Sequence, residues 1–241
     1  MYKKSAKMML SAIVMSLALV SGANALTLNK SITIEAGEVS DGQSTINGSI
    51  SVGDGAKIDG SLNTVNGSIR IGDEVTAGDI ETVNGSIKAG DKLNASSVDT
   101  VNGSIRVGAG SGINGDVETV NGRIELAKGT TVARDVSTVN GALDFDGSRV
   151  SGDVNTVNGD VTLENGAVIE GSLTVKKPGG WFNKNRDRKK PKIVIGPGSQ
   201  VAGEIILERE VELFISDKAE VGGVSGKMSL EDAVRFSGKQ P

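Results

Sequence analysis

The chain of 241 residues contains no histidine and no cysteine. Without histidine it cannot build a Ser-His-Asp triad, a histidine-ligated zinc site or a histidine general base. Without cysteine it has no disulfide, thiolate nucleophile, iron–sulfur cluster or lipidated cysteine anchor. These absences exclude many common catalytic and metal centres, so we expect a protein that is not an enzyme and that uses no metal and no cofactor.

Aromatic residues are scarce as well, at 2% of the chain, whereas glycine occurs 34 times. Such a composition cannot fill a thick globular core, because aromatic side chains normally dominate core burial. The glycines do not follow the three-residue period of collagen. The composition therefore predicts a thin core of aliphatic side chains and many turns.

The N-terminal residues have the three-part pattern of a secretory signal peptide. Lysines precede an apolar run over residues 8–20, and Ala-Asn-Ala at residues 23–25 fits a cleavage site. The run is shorter than the roughly 20 residues that span a bilayer, although an uncleaved membrane anchor is the alternative. We expect residues 1–25 to direct export to the periplasm or cell envelope, with cleavage near Ala25 and no transmembrane segment in the mature chain.

A short motif recurs along most of the remaining chain. Thr-Val-Asn-Gly or Thr-Ile-Asn-Gly begins at Thr45, Thr64, Thr82, Thr100, Thr119, Thr138 and Thr156. The steps between copies are always 18 or 19 residues. A fixed period in this range is typical of a solenoid in which each repeat stacks on its neighbours.

The repeat favours strands over helices, because glycine or asparagine every few residues disfavours a helix. Ile69 and Ile71 alternate as strand residues do. Ile80 and Val83 are three residues apart, so we place a bend between them, with the valine inward and the threonine and asparagine outward. This predicts an all-β protein, a single parallel β-helix with three short strands per coil and about ten coils over residues 26–226. A string of antiparallel hairpins with Asn-Gly turns is the alternative.

The Asn-Gly pairs are predicted to form one corner of each coil, because glycine adopts positive φ freely and asparagine tolerates it. The asparagine amides would then stack into a hydrogen-bonded ladder. The predicted structural ladder comprises Asn47, Asn66, Asn84, Asn102, Asn121, Asn140 and Asn158, each followed by its glycine, Gly48, Gly67, Gly85, Gly103, Gly122, Gly141 and Gly159.

Outward positions suggest three further surfaces. One row of like charge comprises Arg70, Lys88 and Arg106, and another comprises Glu81, Asp99 and Glu118. The rows indicate a solvated face whose charges compensate each other, or a weak cation site on the acidic row. An outward rank of threonines would also fit an ice-binding surface, although threonine is an ordinary strand residue.

One insertion interrupts the period at residues 176–192, where eight basic residues accompany a single acidic one. Its proposed contact residues are Trp181, Phe182, Lys184, Arg186, Arg188, Lys189 and Lys190. The insertion is either a solvated loop or a contact with an anionic lipid or glycan of the envelope; the pattern is weak evidence for nucleic acid, which we do not expect as a partner. Residues 227–241 are predicted to be a C-terminal cap or tail.

The units Gly-Ser-Ile-Arg-Ile-Gly-Asp and Ser-Gly-Asp-Val-Asn-Thr-Val-Asn-Gly-Asp-Val resemble bactofilins, a bacterial polymer-forming cytoskeletal family. The resemblance covers roughly residues 32–175, and the second unit is also similar to bacterial adhesin repeats. It implies a narrow, right-handed β-helix that assembles end to end without nucleotide. The signal peptide and the basic insertion depart from the bactofilin pattern, since bactofilins are cytoplasmic.

Together these features predict a non-enzymatic, exported scaffold or adhesion-type protein of the bacterial cell envelope that self-assembles end to end. The alternative is a glycan- or lipid-binding module that acts through residues 176–192.

Overall fold

Strands of two to eight residues wind around a common axis to form a parallel β-solenoid of about ten turns. The structure is a computed structural model that describes residues 25–179 and 190–241. Most of the predicted signal peptide and the centre of the basic insertion lie outside the described residues. The all-β solenoid predicted from the repeat is confirmed.

The strands form three faces, which we call A, B and C in the order in which a coil passes through them. Face A is one sheet of eleven strands. Its members are Ile32–Ile34, Ile50–Val52, Ile69–Ile71, Ile87–Ala89, Ile105–Val107, Ile124–Leu126, Leu143–Asp146, Val161–Glu164, Lys192–Ile195, Glu212–Ser216 and Val234–Phe236.

Faces B and C belong to a second sheet of sixteen strands. Face B has the short strands Asn94–Ala95, Gly112–Ile113, Thr131–Val132, Arg149–Val150 and Val168–Ile169. Face C has Ala25–Thr27, Ile80–Asn84, Val98–Asn102, Val117–Asn121, Val136–Asn140, Val154–Thr156 and Leu173–Val175. Four longer strands, Val39–Thr45, Lys57–Thr64, Gln200–Leu207 and Glu220–Gly226, contribute to both faces and connect them near the two ends of the solenoid.

Every strand pairing in the described part of the chain is parallel. Residues that are equivalent in the repeat pair directly, as Ile69 does with Ile87. The antiparallel hairpin alternative is therefore wrong, because a hairpin would pair each strand with its immediate neighbour in the chain rather than with the next coil.

The core is a stack of aliphatic side chains along the axis. In Ile69–Ile71 the two isoleucines are buried and Arg70 points out, and the same alternation recurs in Ile87–Ala89 and Ile105–Val107. Each fully buried aliphatic side chain of this size stabilises the fold by about 1.5–3 kcal/mol. Phe145 is the sole aromatic among the fully buried hydrophobic residues of the described chain, as expected from the scarcity of aromatic residues.

The predicted bend between Ile80 and Val83 is wrong. Residues Ile80–Asn84 form one strand in which Ile80 and Thr82 are buried, whereas Glu81 and Val83 are partly exposed. Strand alternation places Thr82 on the same side as Ile80, so the threonine of the motif enters the core and the valine does not.

The solenoid continues in register across the basic insertion. Val161 pairs with Ile193, and Leu163 pairs with Ile195. The last strand, Val234–Phe236, follows a single 3-10 turn at Leu230–Asp232 and pairs with Glu212–Ser216. Met228 and Ala233 pack against the core, so residues of the predicted cap cover part of the final coil.

Candidate functional site

The asparagines of the repeat lie one above another at the corner where face C leads into face A of the next coil. Each amide Nδ2 donates to the Oδ1 of the asparagine one coil earlier, over 2.6–2.9 Å. The donors are Asn47, Asn66, Asn84, Asn102, Asn121, Asn140 and Asn158. The asparagine side chains of the motif are thereby hydrogen-bonded to one another.

Two residues outside the motif complete this asparagine row. Asn29 accepts the bond from Asn47 at the first coil. At the other end, Arg209 donates from its guanidinium to Asn158 Oδ1 over 3.0 Å and to the Val157 carbonyl over 3.3 Å. Asn29 precedes the first Asn-Gly pair and Arg209 lies in a degenerate coil, so the repeat motif gave no signal for either.

The threonines of the motif are buried, and their hydroxyl groups bond inside the solenoid. Thr64 Oγ1 donates to the Gly48 carbonyl over 2.8 Å, and Thr82 Oγ1 donates to the Gly67 carbonyl over 2.9 Å. Equivalent bonds of 2.9–3.2 Å recur at Thr100, Thr119 and Thr138. The prediction of an outward row of threonines is therefore wrong. The buried threonines do not form an ice-binding surface on this face.

The glycines after the asparagines are needed for close approach rather than for positive φ. None of the seven has a φ in the left-handed region. A Cβ at any of them would lie 1.8–2.2 Å from the backbone carbonyl oxygen of the preceding coil. The residues concerned are Gly48, Gly67, Gly85, Gly103, Gly122, Gly141 and Gly159.

Positive φ occurs instead at the corner between faces A and B. Gly55 and Gly110 have φ of 68° and 66° there, and Glu74 and Lys92 occupy the equivalent place with φ of 60° and 57°. Lys92 and Glu74 also form an ion pair. In the asparagine row Asn29 alone has a positive φ, of 57°, so the prediction of a left-handed corner applies to the corner between faces A and B and not to the seven Asn-Gly pairs.

Two series of aspartates bond to the backbone of the next coil, one at the corner between faces A and B and one at the corner between faces B and C. Asp54 Oδ1 accepts the backbone N–H of Asp73 over 2.8 Å, and Asp73 Oδ1 accepts that of Asp91 over 2.7 Å. A second series runs through Asp116, Asp135 and Asp153 to the backbone N–H of Ser172, over 2.8–3.0 Å. Gly-Asp at a constant offset, as in residues 53–54, 72–73 and 90–91, was the available signal for the first series.

The acidic row lies on face C. Asp99 is in register with Glu81 on one side and Glu118 on the other, and all three side chains are half-buried. Burial and then the neighbouring Glu118 raise the pKa of Asp99 to about 8. Burial raises the pKa of Glu118 to about 7, against the bond from the Ser137 hydroxyl, which lowers it. Over residues 25–179 and 190–241 no group of three or more acidic side chains is arranged to hold a metal ion, so we do not propose the row as a cation site.

The basic row lies on face A, where Arg70, Lys88 and Arg106 are exposed and in register. Arg106 pairs with Glu125 of the next coil. No ion pair to Arg70 or Lys88 occurs within the described part of the chain. The three cations line a shallow cleft of about 250 Å³ together with Ser68, Ser86 and Ser104.

Most of the residues expected to make envelope contacts lie outside the described residues, namely Trp181, Phe182, Lys184, Arg186, Arg188 and Lys189. Lys190 is described, and its Nζ lies 2.7 Å from Glu210 Oε2. The two ends of the insertion are anchored to the solenoid: the Lys177 N–H donates to Glu208 Oε2 over 2.9 Å, and the Lys192 N–H donates to Asp160 Oδ1 over 2.8 Å.

The ends of the rod carry the exposed large hydrophobic side chains of the described chain. Leu28 and Val39 lie in the first coil, at 63% and 66% exposed. Leu230 and Val234 lie in the segment over the last coil, at 40% and 54% exposed. The flanks of the solenoid between them have no such residue within the described ranges.

The comparisons with known proteins give no assignment. No model of a protein family matches the chain, and neither a curated protein nor a solved structure matches it. Among the described residues, no helix is long and apolar enough to cross a membrane. The parallel solenoid agrees with the fold that the resemblance to bactofilins implies.

Proposed function

We propose that the protein is a non-enzymatic, exported scaffold or adhesion-type protein of the bacterial cell envelope, whose rods join end to end as bactofilins do. The observation that carries this proposal is the placement of Leu28, Val39, Leu230 and Val234 at the two ends of the rod. Exposed apolar side chains on a rod with otherwise polar flanks favour contact between ends.

Within residues 25–179 and 190–241, no strand pairs with the outer edge of Ile32–Ile34 in the first coil, which supports the proposal. The Ile32 N–H donates to the Ser49 carbonyl and the Ile34 carbonyl accepts from the Gly53 N–H, each over 2.9 Å. Because successive residues of a strand direct their backbone groups to opposite sides, those of Thr33 face away from the second coil. An unpaired edge of this kind is a template for another strand.

The hydrogen bonds that the repeated residues make within the chain favour a structural role over a catalytic one. The asparagine row and the buried threonines bond to other parts of the same chain. A rod of this type would act by holding its ends and surface rows at fixed spacing. Export follows from the signal-peptide pattern of residues 1–25.

A variant with a lysine introduced at each end of the rod tests the proposal. Val39→Lys with Val234→Lys would place a cation at each proposed contact, and we expect this variant to sediment as single rods while the unaltered chain forms end-joined particles. Val83→Lys with Val120→Lys, at two half-exposed valines on the flank, is the matched control and should still join. Equal sedimentation of all three proteins as single rods would contradict the proposal.

A second variant tests the strand edge without adding charge. Thr33→Pro removes the N–H that faces the free side, and proline is tolerated at such an edge. We expect it to fold and to remain unjoined, as judged by circular dichroism and sedimentation.

The second candidate function is binding of an anionic glycan or lipid through residues 176–192. The observation that favours it is the unbroken register of the coils on either side, which makes the basic insertion an addition to a complete solenoid. Replacing residues 178–190 by a short Gly-Ser linker should therefore preserve the fold and abolish binding to vesicles of anionic lipid. Retained binding would exclude this candidate.

A further inference from the structure

Within the described residues, faces A and C each have one level more than face B, where a level is one strand spacing along the axis. Face A has eleven strands. Face C has seven strands of its own and the four that it shares with face B, which gives eleven levels. Face B has five of its own, the same four shared strands and the bridge residue Thr76, which gives ten. The missing level of face B is the one that would follow Val234–Phe236, because each coil passes from face A to face B.

A second copy stacked on the C-terminal end meets two faces at once. If its strand Ile32–Ile34 adds to Val234–Phe236 on face A, the same displacement places its Ala25–Thr27 on the last strand of face C. Both contacts continue the parallel pairing of the solenoid. On face B, however, its Val39–Thr45 then lies two levels beyond Glu220–Gly226, so one level between the two copies is left empty.

The empty level would leave backbone groups without partners on both of its sides. The Lys57 N–H donates to the Glu38 carbonyl over 2.8 Å, so the backbone groups of Val39 face away from the second coil. The Glu220 N–H donates to the preceding coil over 3.0 Å, so the backbone groups of Val221 face away from that coil. A strand inserted at the empty level would pair with both edges.

Residues 237–241 have the position and the pattern of the missing strand. The last strand of face A is in register with the two strands before it, so counting on from it gives each following residue its place in the coil. Gly238 corresponds to Gly198, which has a φ of 74° at the corner between faces A and B. Pro241 corresponds to the buried Val201, where an apolar ring suits the inward position.

In this structure residues 237–241 do not follow the path of a coil. Gly238 lacks the positive φ of the corner, and all five residues are exposed. Their one hydrogen bond to the rest of the described chain runs from Gln240 Nε2 to Glu164 Oε1 on face A, over 3.4 Å. A segment held by one long hydrogen bond can leave face A at little cost.

The two ends of the rod carry opposite charges at one inward position of the coil. Glu38 begins this row at the N-terminal end, and Lys239 falls in the same row at the C-terminal end. Between them the row is buried and uncharged, with Ala56, Val75, Leu93, Ser111, Thr130, Ser148, Ala167 and Ser199. Glu35 adds a carboxylate beside Glu38, and Arg235 adds a cation near Lys239. The two ends are therefore electrostatically complementary.

We infer that copies join head to tail, and that residues 237–241 of one copy form the missing strand of face B between the two rods. This strand lies between Glu220–Gly226 of its own copy and Val39–Thr45 of the next, and Lys239 pairs with Glu38 of the next copy. Contact between two N-terminal ends would bring Glu38 against Glu38, and contact between two C-terminal ends would bring Lys239 against Lys239. The inference names the contact by which the proposed scaffold assembles and rests on that proposed function.

Cysteine cross-linking tests the polarity of the contact, since the chain has no cysteine of its own. Equivalent residues on adjacent levels lie about 4.8 Å apart, within the Cα separation of about 4.4–6.8 Å that a disulfide spans. Glu38→Cys with Lys239→Cys places two thiols at opposite ends of one rod, so a disulfide forms only between copies. Under mild oxidation we expect a ladder of covalent multimers on non-reducing gels.

The single-cysteine variants show which ends meet. We expect Glu38→Cys alone and Lys239→Cys alone to give no covalent dimer. A dimer of Glu38→Cys would show that N-terminal ends meet each other, a dimer of Lys239→Cys would show the same for C-terminal ends, and either result overturns the inference. Thr76→Cys with Thr131→Cys, at two exposed positions of face B, measures random collision and should give no ladder.

Removal of residues 237–241 tests their role as the joining strand. We expect the shortened chain to fold, as judged by circular dichroism, and to sediment as single rods. Lys239→Glu should also abolish joining, and adding Glu38→Lys to the same chain should restore it. Arg134→Glu, at an exposed arginine of the flank, is the matched control and should join as the unaltered chain does.

Two outcomes distinguish failure of this inference from failure of the proposed function. Unaltered chain that stays as single rods at every concentration overturns both. Joining that survives the removal of residues 237–241, with or without the charge reversals, overturns the inference alone and leaves end-to-end assembly in place.

Discussion

Each residue of the Thr-Val-Asn-Gly motif has a separate physical role in the solenoid. The Thr82 hydroxyl bonds to a buried carbonyl, Val83 is half-exposed, the Asn84 amide joins the row at the corner, and Gly85 lets two coils approach. The threonine, asparagine and glycine recur because every coil must meet the same three requirements at the same place, whereas the valine is buried at Val101 and half-exposed at Val83. The constant spacing between copies of the motif is thus a consequence of the stacking of coils.

Removal of one amide from the middle of the asparagine row should cost more than removal from its end. Asn102→Ala deletes the bonds to both Asn84 and Asn121, and we expect the free energy of unfolding to fall by about 1–2 kcal/mol. Asn29→Ala deletes one bond and should cost about half as much. Denaturant unfolding measures both, and equal losses would contradict the account in which each bond of the row contributes to stability.

The close approach of successive coils at the Asn-Gly corner predicts that Gly85→Ala lowers the free energy of unfolding far more than Gly55→Ala does. The new Cβ at Gly85 would lie 1.9 Å from the Gly67 carbonyl oxygen, a backbone atom that cannot turn aside as the end of a flexible side chain can. We expect a loss of at least about 4 kcal/mol or failure to fold. At Gly55 nothing lies within 4 Å of the Cβ and only the φ of 68° is unfavourable, so the cost should be about 1 kcal/mol. Similar losses at the two sites would refute the close-approach account.

At the scale of strands and rows, the acidic row predicts a dependence of stability on pH. The pKa of Asp99 is about 8 in the folded chain against an ordinary 3.8, and that of Glu118 is about 7 against 4.5. The folded state therefore holds protons that the unfolded state releases, so this stabilisation is present at acid pH and is lost as pH rises through about 7–8. We expect the free energy of unfolding to fall by about 1–3 kcal/mol between about pH 5 and pH 9.

The Asp99→Asn variant separates the contribution of Asp99 to the pH dependence of stability from that of the other titratable groups. The amide stays neutral at every pH, so the variant should gain stability at about pH 9 relative to the unaltered chain and show a flatter profile. Asp217→Asn, at an exposed carboxylate of the final coils, should leave the slope unchanged. A profile for Asp99→Asn that runs parallel to that of the unaltered chain would contradict the assignment.

How far the strands could be predicted from sequence differs between the faces. The Ile69–Ile71 alternation and the constant period were sufficient for face A, because aliphatic side chains there alternate with charged ones. On face C hydrophobicity predicts that the valine, the most apolar residue of the motif, points inward, whereas strand parity places Thr82 on the same side as Ile80. Hydrophobicity alone misleads here, since a buried hydroxyl is tolerated when a backbone carbonyl accepts its hydrogen bond.

Contacts between distant coils were harder to anticipate. Arg209 reaches the end of the asparagine row from a coil that lacks the motif, and periodicity carries no information about such a residue. The aspartate bonds at the corners were visible only as a recurring Gly-Asp pair. The repeat alone predicts the charge rows on faces A and C, because residues at equivalent positions of successive coils pair in register.

At the scale of the whole molecule, the rod is regular along its flanks and different at its ends. Backbone and side-chain bonding repeats from coil to coil, whereas the large exposed hydrophobic side chains of the described residues lie in the first coil and over the last one. A molecule of this shape is suited to joining at its ends and to presenting evenly spaced charges along its sides. The proposed scaffold function uses the ends.

Electron cryo-microscopy of the purified chain over a range of concentrations tests the central claim most directly. The account predicts filaments in which copies of about 50 Å follow one another and the strand spacing of about 4.8 Å continues across each junction. Separate rods of about 50 Å at every concentration would contradict end-to-end assembly.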